Sequence, residues 1–317
     1  MPAVIKVALV GATGRTGKSI VDGLLASETN FDIVVLARPA AINGEAYNQL
    51  RSRSVHVVAA DLRGPKEDLV SILKGVDVVI STIIYTNLDD QIPLAEAAKE
   101  AGVKRFVPSE FSTPATRGVL DLHDKKDNVL AAIQRLYLPY TVIDVGWWSE
   151  HSVPAVASGR TDHAVSRFFN TVPGDGTVPV AYTDAPDIGL YVAKIITDPR
   201  TINKKVLAYT EVLNANQVSK LMEELSGEAV IRNHLSADEI HSSLASARST
   251  LGKDPADPSA LMTLALYQYI NSWGLRGDGN PESAAYLGYL DFKQLYPEVI
   301  GKTMRTIFQE ILDGRGK

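Results

Sequence analysis

The stretch KVALVGATGRTGKSIVDGLL, Lys6 to Leu25, decides how the rest of the chain is read. Val7, Ala8, Leu9 and Val10 form an apolar run too short for a helix and suited to a buried parallel strand. The run ends at Gly11, and glycine recurs at Gly14 and Gly17. Beyond them Ile20, Val21, Leu24 and Leu25 repeat at helical spacing on one face. Strand, glycine turn and helix together are the context that a dinucleotide-binding loop requires. Gly11 permits the tight turn, Gly14 lets the backbone approach a pyrophosphate, and Gly17 lets the helix sit close to the strand. Free N–H groups and the macrodipole at the helix start then favour phosphate. The expected cofactor-binding set from this loop is Gly11, Thr13, Gly14, Arg15, Thr16 and Gly17.

Outward from the loop, strands and helices alternate. Asp32 to Arg38, Val55 to Ala60, Val76 to Ile84, Arg105 to Pro108 and Thr141 to Val145 read as further strands. Helical stretches separate them near Asn43–Arg51, Pro65–Lys74, Leu94–Ala101 and Asp124–Leu136, with Gly75 and Gly102 closing two of these. The expected fold class is therefore α/β, a Rossmann-type doubly wound parallel sheet. Past Gly146 the rhythm breaks into aromatic pairs (Trp147-Trp148, Phe168-Phe169), a Pro173–Gly176 turn and further helices. Ser236-Ala-Asp-Glu239 reads as a capping box. A cofactor domain over 1–150 and a smaller, mainly helical substrate lobe over 151–317 follow, with segments near 176–200 returning to the first.

The second strand chooses the cofactor. A site selecting NAD places Asp or Glu at that strand's carboxyl end, on the ribose hydroxyls. Asp32 opens the strand and so stands at the wrong edge, whereas Arg38 follows its last residues and can meet a 2′-phosphate. One hydrogen bond to a charged group is worth about 1.5–3 kcal/mol, so Arg38 alone can discriminate roughly 10- to 100-fold. The expected cofactor is NADP(H).

Composition narrows the rest. At 317 residues the chain can bury roughly three-quarters of its unfolded surface. A formal charge of −5 without a basic block argues against a nucleic-acid binder. The absence of cysteine excludes disulfides, thiolate catalysis and cysteine-ligated metals. The first strand starts too near Met1 for a signal peptide, and no apolar run reaches the ~20 residues of a membrane span. A cytoplasmic monomer or homodimer that binds no metal, no nucleic acid and no membrane is expected.

Several phrases carry a resemblance. The loop's G-x-x-G-x-x-G spacing is similar to that of the atypical short-chain dehydrogenase/reductase branch. Val103-Lys-Arg-Phe-Val-Pro-Ser-Glu-Phe111, Leu138-Pro-Tyr-Thr141, Gly174-Asp-Gly176, Asp187-Ile-Gly189, Asp198-Pro-Arg-Thr-Ile-Asn203 and Tyr286-Leu-Gly-Tyr-Leu-Asp-Phe292 with Leu295-Tyr-Pro297 follow in one order. Together they resemble the NmrA-like and isoflavone reductase-like family, which includes pinoresinol–lariciresinol and phenylcoumaran benzylic ether reductases. The resemblance implies NADP(H) and, in many members, reduction of small aromatic metabolites. It also implies a lysine general acid/base on the helix before Pro-Tyr-Thr, and counting back from Leu138 places Lys126 there. Ser112 stands where the family phrase usually has glycine.

Leu122 occupies the position that tyrosine would hold in Tyr-x-x-x-Lys, and the one such spacing, Tyr289–Lys293, lies far from the expected helix. Lys125 is the alternative if the register slips by one. Glu110, after a strand end, and His123, three residues before Lys126, are the other catalytic candidates; His151 is weaker. Trp147 and Trp148 are the expected substrate-binding pair, one as core and the other as a flat wall. The reading is an NADPH-dependent reductase of a small aromatic or alkaloid-like metabolite, in which lysine assists protonation. Its rivals are an NADP-bound enzyme catalysing a non-redox rearrangement, and a non-enzymatic NAD(P) sensor that binds a protein partner.

Overall fold

The computed structural model describes residues 4–166 and 171–315. The aromatic pair Phe168-Phe169 falls outside them. The apolar runs form β1 (Ile5–Val10), β2 (Phe31–Ala37), β3 (His56–Ala59), β4 (Val78–Ser81), β5 (Arg105–Val107) and β6 (Thr141–Asp144). Between them stand α1 (Arg15–Ala26), α2 (Glu45–Ser52), α3 (Lys66–Leu73), α4 (Gln91–Glu100) and α5 (Asp121–Arg135).

Five strands make one sheet in the order β3-β2-β1-β4-β5, and every neighbouring pair is parallel. This is the Rossmann-type order, in which the direction of growth reverses at β1 and opens a crevice beside β4. Val7, Ala8 and Leu9 expose no surface, as a strand covered on both faces demands. Val10 pairs with Leu36 on one side and Ser81 on the other, so the loops after β1, β2 and β4 leave from one edge.

The ladder stops at β5. That strand is three residues long, and Pro108, with no N–H to donate, follows it. It meets the next segment through one bridge, Phe106 to Tyr140. β6 instead lies beside the strand Lys204–Leu207.

The chain divides into two compact units, each discontinuous in sequence. One takes residues up to Phe111, 124–144 and 186–206; the other takes 112–123, 145–185 and 207 onward. The first unit adds α6 (Ile188–Ile195), which packs on α1. There Ser19 Oγ donates to Pro186 O at 2.7 Å and accepts the Gly189 N–H at 2.9 Å.

In the second unit β7 (Trp147–Trp148) runs parallel to Val180–Thr183, which pairs antiparallel with Glu211–Leu213. α7 (Ala215–Ser226), α8 (Ala237–Lys253) and α9 (Pro258–Asn271) follow. Capping boxes start α7 at Asn214 and α8 at Ser236, the latter as its sequence foretells. Trp147, Tyr182, Trp273 and Phe308 anchor the core of this unit.

Candidate active site

The crevice beside β1 opens as a cleft of about 460 Å³ within the first unit, a size suited to a cofactor. Gly11, Thr13 and Gly14 line it from the loop after β1, Arg38 from the end of β2, and Thr82, Ile83 and Ile84 from the end of β4. Gly11 has φ +83°, and a Cβ there would stand 2.5 Å from Thr82 O, so only glycine fits. A Cβ on Gly17 would strike the Gly11 carbonyl; its absence lets α1 start directly against the loop. Gly14 caps α1 without a side-chain bond, and no acid stands in the first turn. Arg15, Thr16 and Gly17 form that turn, where the main-chain N–H groups of a helix start point outward. An uncapped helix start beside a cleft is an anion site by construction.

Arg38 is exposed, and its guanidinium makes no hydrogen bond or ion pair among the described residues. Asp32 sits at the far end of β2, 3.7 Å from His56 Nε2. The residues present therefore fit a phosphorylated dinucleotide.

A second constellation lies beyond β5 and β6 in the same unit. Along α5, Lys126, Val129, Leu130 and Ile133 are buried while Lys125 is exposed. Lys126 thus stands on the inward face of a helix that buries its apolar side. Its Nζ donates to the backbone carbonyl of Glu110 at 2.5 Å and lies 3.7 Å from Glu110 Oε2. Asp144, at the end of β6, has no exposed surface, and its carboxylate lies within 4.8 Å of that of Glu110. Burial pushes the Glu110 carboxyl up to about 8; the Lys126 charge opposes the rise, and Asp144 and Asp127 add to it. Glu110 Oε2 accepts no hydrogen bond among the described residues, so the long approach of the ammonium does not offset desolvation. The cluster holds a lysine ammonium, an acid that favours its protonated form near neutrality, and a second buried acid.

The turn that presents Glu110 is tightly built. Glu110 N–H donates to Pro108 O, and Phe111 N–H to Ile143 O, each at 2.9 Å. Phe111 adopts φ +42°, an uncommon conformation for a bulky residue. Ser112 does not share it, so a side chain in place of the family's glycine is tolerated. Gln91, 1% exposed, accepts the Ser109 N–H at 2.7 Å and donates to Leu88 O, while Ser109 Oγ donates to Ile83 O. Gln91 and Ser109 therefore tie the Glu110 turn to the cleft-lining segment after β4.

Other candidates are placed as follows. His123 is buried, and its Nε2 lies 3.0 Å from Thr113 O, so that nitrogen carries the proton. Trp147 is 5% exposed, with its ring centroid 5.3 Å from that of Trp273. Trp148 is half-buried and stacks on His151 at 5.8 Å with an interplanar angle of 7°. Lys293 of the Tyr-x-x-x-Lys spacing donates to Thr210 O at 2.6 Å and stands over the Tyr209 ring. Asp144, Gln91 and Ser109 were not among the expected site residues. Asp144 offered a signal, an acid closing an apolar strand; Gln91 offered none.

Comparison with known proteins follows the same lines. The model of the NmrA-like family matches residues 5–253. Asnovolin J 5′,6′-dehydrogenase nvfM of Aspergillus novofumigatus is 48% identical over 314 residues, 98% of this chain and 96% of its own. Bifunctional pinoresinol-lariciresinol reductase 3 of Thuja plicata is 32% identical over 258 residues, covering 74% of this chain and 80% of the reductase. The solved structure of AtPrR2 with NADP+ and (+)pinoresinol superposes with a TM-score of 0.79 at 24% identity, covering 98% of this chain and all of the other.

Proposed function

The chain belongs to the NmrA-like family, and we propose that it is an NADP(H)-dependent oxidoreductase of a small aromatic or alkaloid-like metabolite. The observation that carries the reading is Lys126, a buried ammonium fixed on a main-chain carbonyl in the unit that also holds the dinucleotide cleft. Relatives bearing the names dehydrogenase and reductase support oxidoreductase chemistry in either direction.

Bound NADP(H) would supply or take the hydride. The glycine loop and the first turn of α1 hold the pyrophosphate, and Arg38 selects the 2′-phosphate. In the reductive direction Lys126 Nζ delivers a proton to the substrate atom next to the carbon that gains hydride; in the oxidative direction it removes one. Glu110 stands 3.7 Å from that ammonium, and its burial favours the protonated acid. In the second unit Trp148 is half-buried and stacked on His151, while Trp147 belongs to the core.

A second reading rests on Glu110. A buried acid that holds its proton near neutrality suits a non-redox rearrangement in which NADP(H) is bound but not consumed. One experiment separates the readings: candidate metabolites are screened for NADP(H) absorbance change, with products weighed by mass. With a metabolite that is turned over, Lys126→Met is expected to keep NADPH affinity and lower kcat roughly 10²- to 10⁴-fold, and Lys125→Met to do far less. Product without cofactor consumption supports the rearrangement. Full turnover by Lys126→Met removes the lysine from the mechanism.

A further inference from the structure

The dinucleotide cleft has a bond across it that the cofactor fingerprint does not explain. Arg63, in the loop after β3, places Nε 2.7 Å from Oδ1 of Asp90, at the end of the segment after β4. Both residues line the cleft. In the sheet order β3-β2-β1-β4, these two segments leave strands separated by β2 and β1. Neighbouring strands lie about 4.8 Å apart, so the starting points of the two segments are about 14 Å apart. A 2.7 Å contact therefore draws them together over the carboxyl edges of β1 and β2. Gly11 and Arg38 leave the sheet from those two edges.

The partners are unequal. The Arg63 side chain is 69% exposed and that of Asp90 18%, and Asn87 Nδ2 also donates to Asp90 Oδ2 at 3.2 Å. Desolvation works to raise the Asp90 carboxyl, but the bonds from Arg63 and Asn87 outweigh it and hold it below the usual carboxylate range. The anchored half of the contact is Asp90; the mobile half is the long arginine arm, which can swing away at small expense because exposed ion pairs are weak.

We infer that Arg63 and Asp90 form a clasp across the dinucleotide cleft, which opens for NADP(H) to enter or leave and closes over it when bound. The inference rests on the reading of this cleft as the NADP(H) site. Because the clasp opens for both passages, weakening it speeds association and dissociation together and leaves the equilibrium affinity nearly unchanged. A direct bond from Arg63 to a cofactor phosphate would do the opposite, lowering affinity when Arg63 alone is removed.

The test is stopped-flow fluorescence with NADPH as the probe, on the unmutated chain, Asp90→Asn, Arg63→Met and the double variant. Association and dissociation rates are each expected to rise about two- to fivefold in both single variants, the range an exposed ion pair supplies. Kd should stay within about twofold, and the double variant should exchange no faster than either single one. NADPH binding with unmutated rates in both single variants would overturn the clasp and leave the cofactor site standing. Loss of affinity in Arg63→Met with unchanged exchange in Asp90→Asn would assign Arg63 to the cofactor and likewise overturn it. Failure of the unmutated chain to bind NADPH would overturn the cofactor reading and the clasp with it.

Discussion

The cleft after β1 and the cluster after β5 and β6 belong to one unit, yet they hold charge in opposite ways. In the cleft, positive character comes from main-chain N–H groups at the start of α1 and from exposed Arg38. In the cluster, Lys126, Glu110 and Asp144 are all buried, and burial raises the Glu110 carboxyl. Exposed charge is stable without a ligand and free to select one, so changes there should alter binding and leave the fold alone. Buried charge is balanced by neighbours within the protein, so changes there should alter stability and its dependence on pH as well as chemistry.

The largest effect expected in the cleft is on cofactor choice. Unmutated protein should bind NADPH at least about tenfold more tightly than NADH, and Arg38→Ala should erase most of that gap while leaving thermal stability within the small range of surface changes. Titration calorimetry with the two cofactors decides it. Equal affinities in the unmutated chain would break the contrast at its exposed end.

A second effect is expected in the cluster. The folded Glu110 carboxyl titrates near 8 against an ordinary value of 4.5, so between those values the native state holds a proton that the unfolded state has lost. Its contribution to stability is complete below about 4.5 and declines as pH rises toward 8. The slope from this one group is at most about 1.4 kcal/mol per pH unit. Urea unfolding at a series of pH values should show that decline, and Glu110→Gln should flatten it. An unchanged slope in Glu110→Gln would show that the buried end of the contrast is not governed by this acid.

The same contrast explains what the sequence disclosed. The glycine loop and the place of Arg38 after β2 follow from local spacing, because strand ends are short-range properties, whereas Lys126 was singled out by the family resemblance. Lys126 is buried and Lys125 exposed because one helix turn fixes which side faces inward. Gln91 and the Arg63–Asp90 contact were not legible in that way. Gln91 meets Ser109 18 positions away, and Arg63 meets Asp90 27 positions away, through loops whose convergence depends on sheet order. Phe111 in a left-handed conformation is set by the bonds of its turn and leaves no mark in its own identity. That Trp147 enters the core depends on Trp273, 126 positions beyond it.

The central claim is hydride transfer through NADP(H), and isotope transfer tests it most directly. The chain is incubated with NADPH deuterated at C4 of the nicotinamide, on the transferred face, and a metabolite that it turns over; the product is then weighed. The account predicts a product carrying one deuterium, formed in step with NADPH consumption and suppressed in Lys126→Met. A product formed at full rate with no deuterium and no loss of NADPH would contradict it.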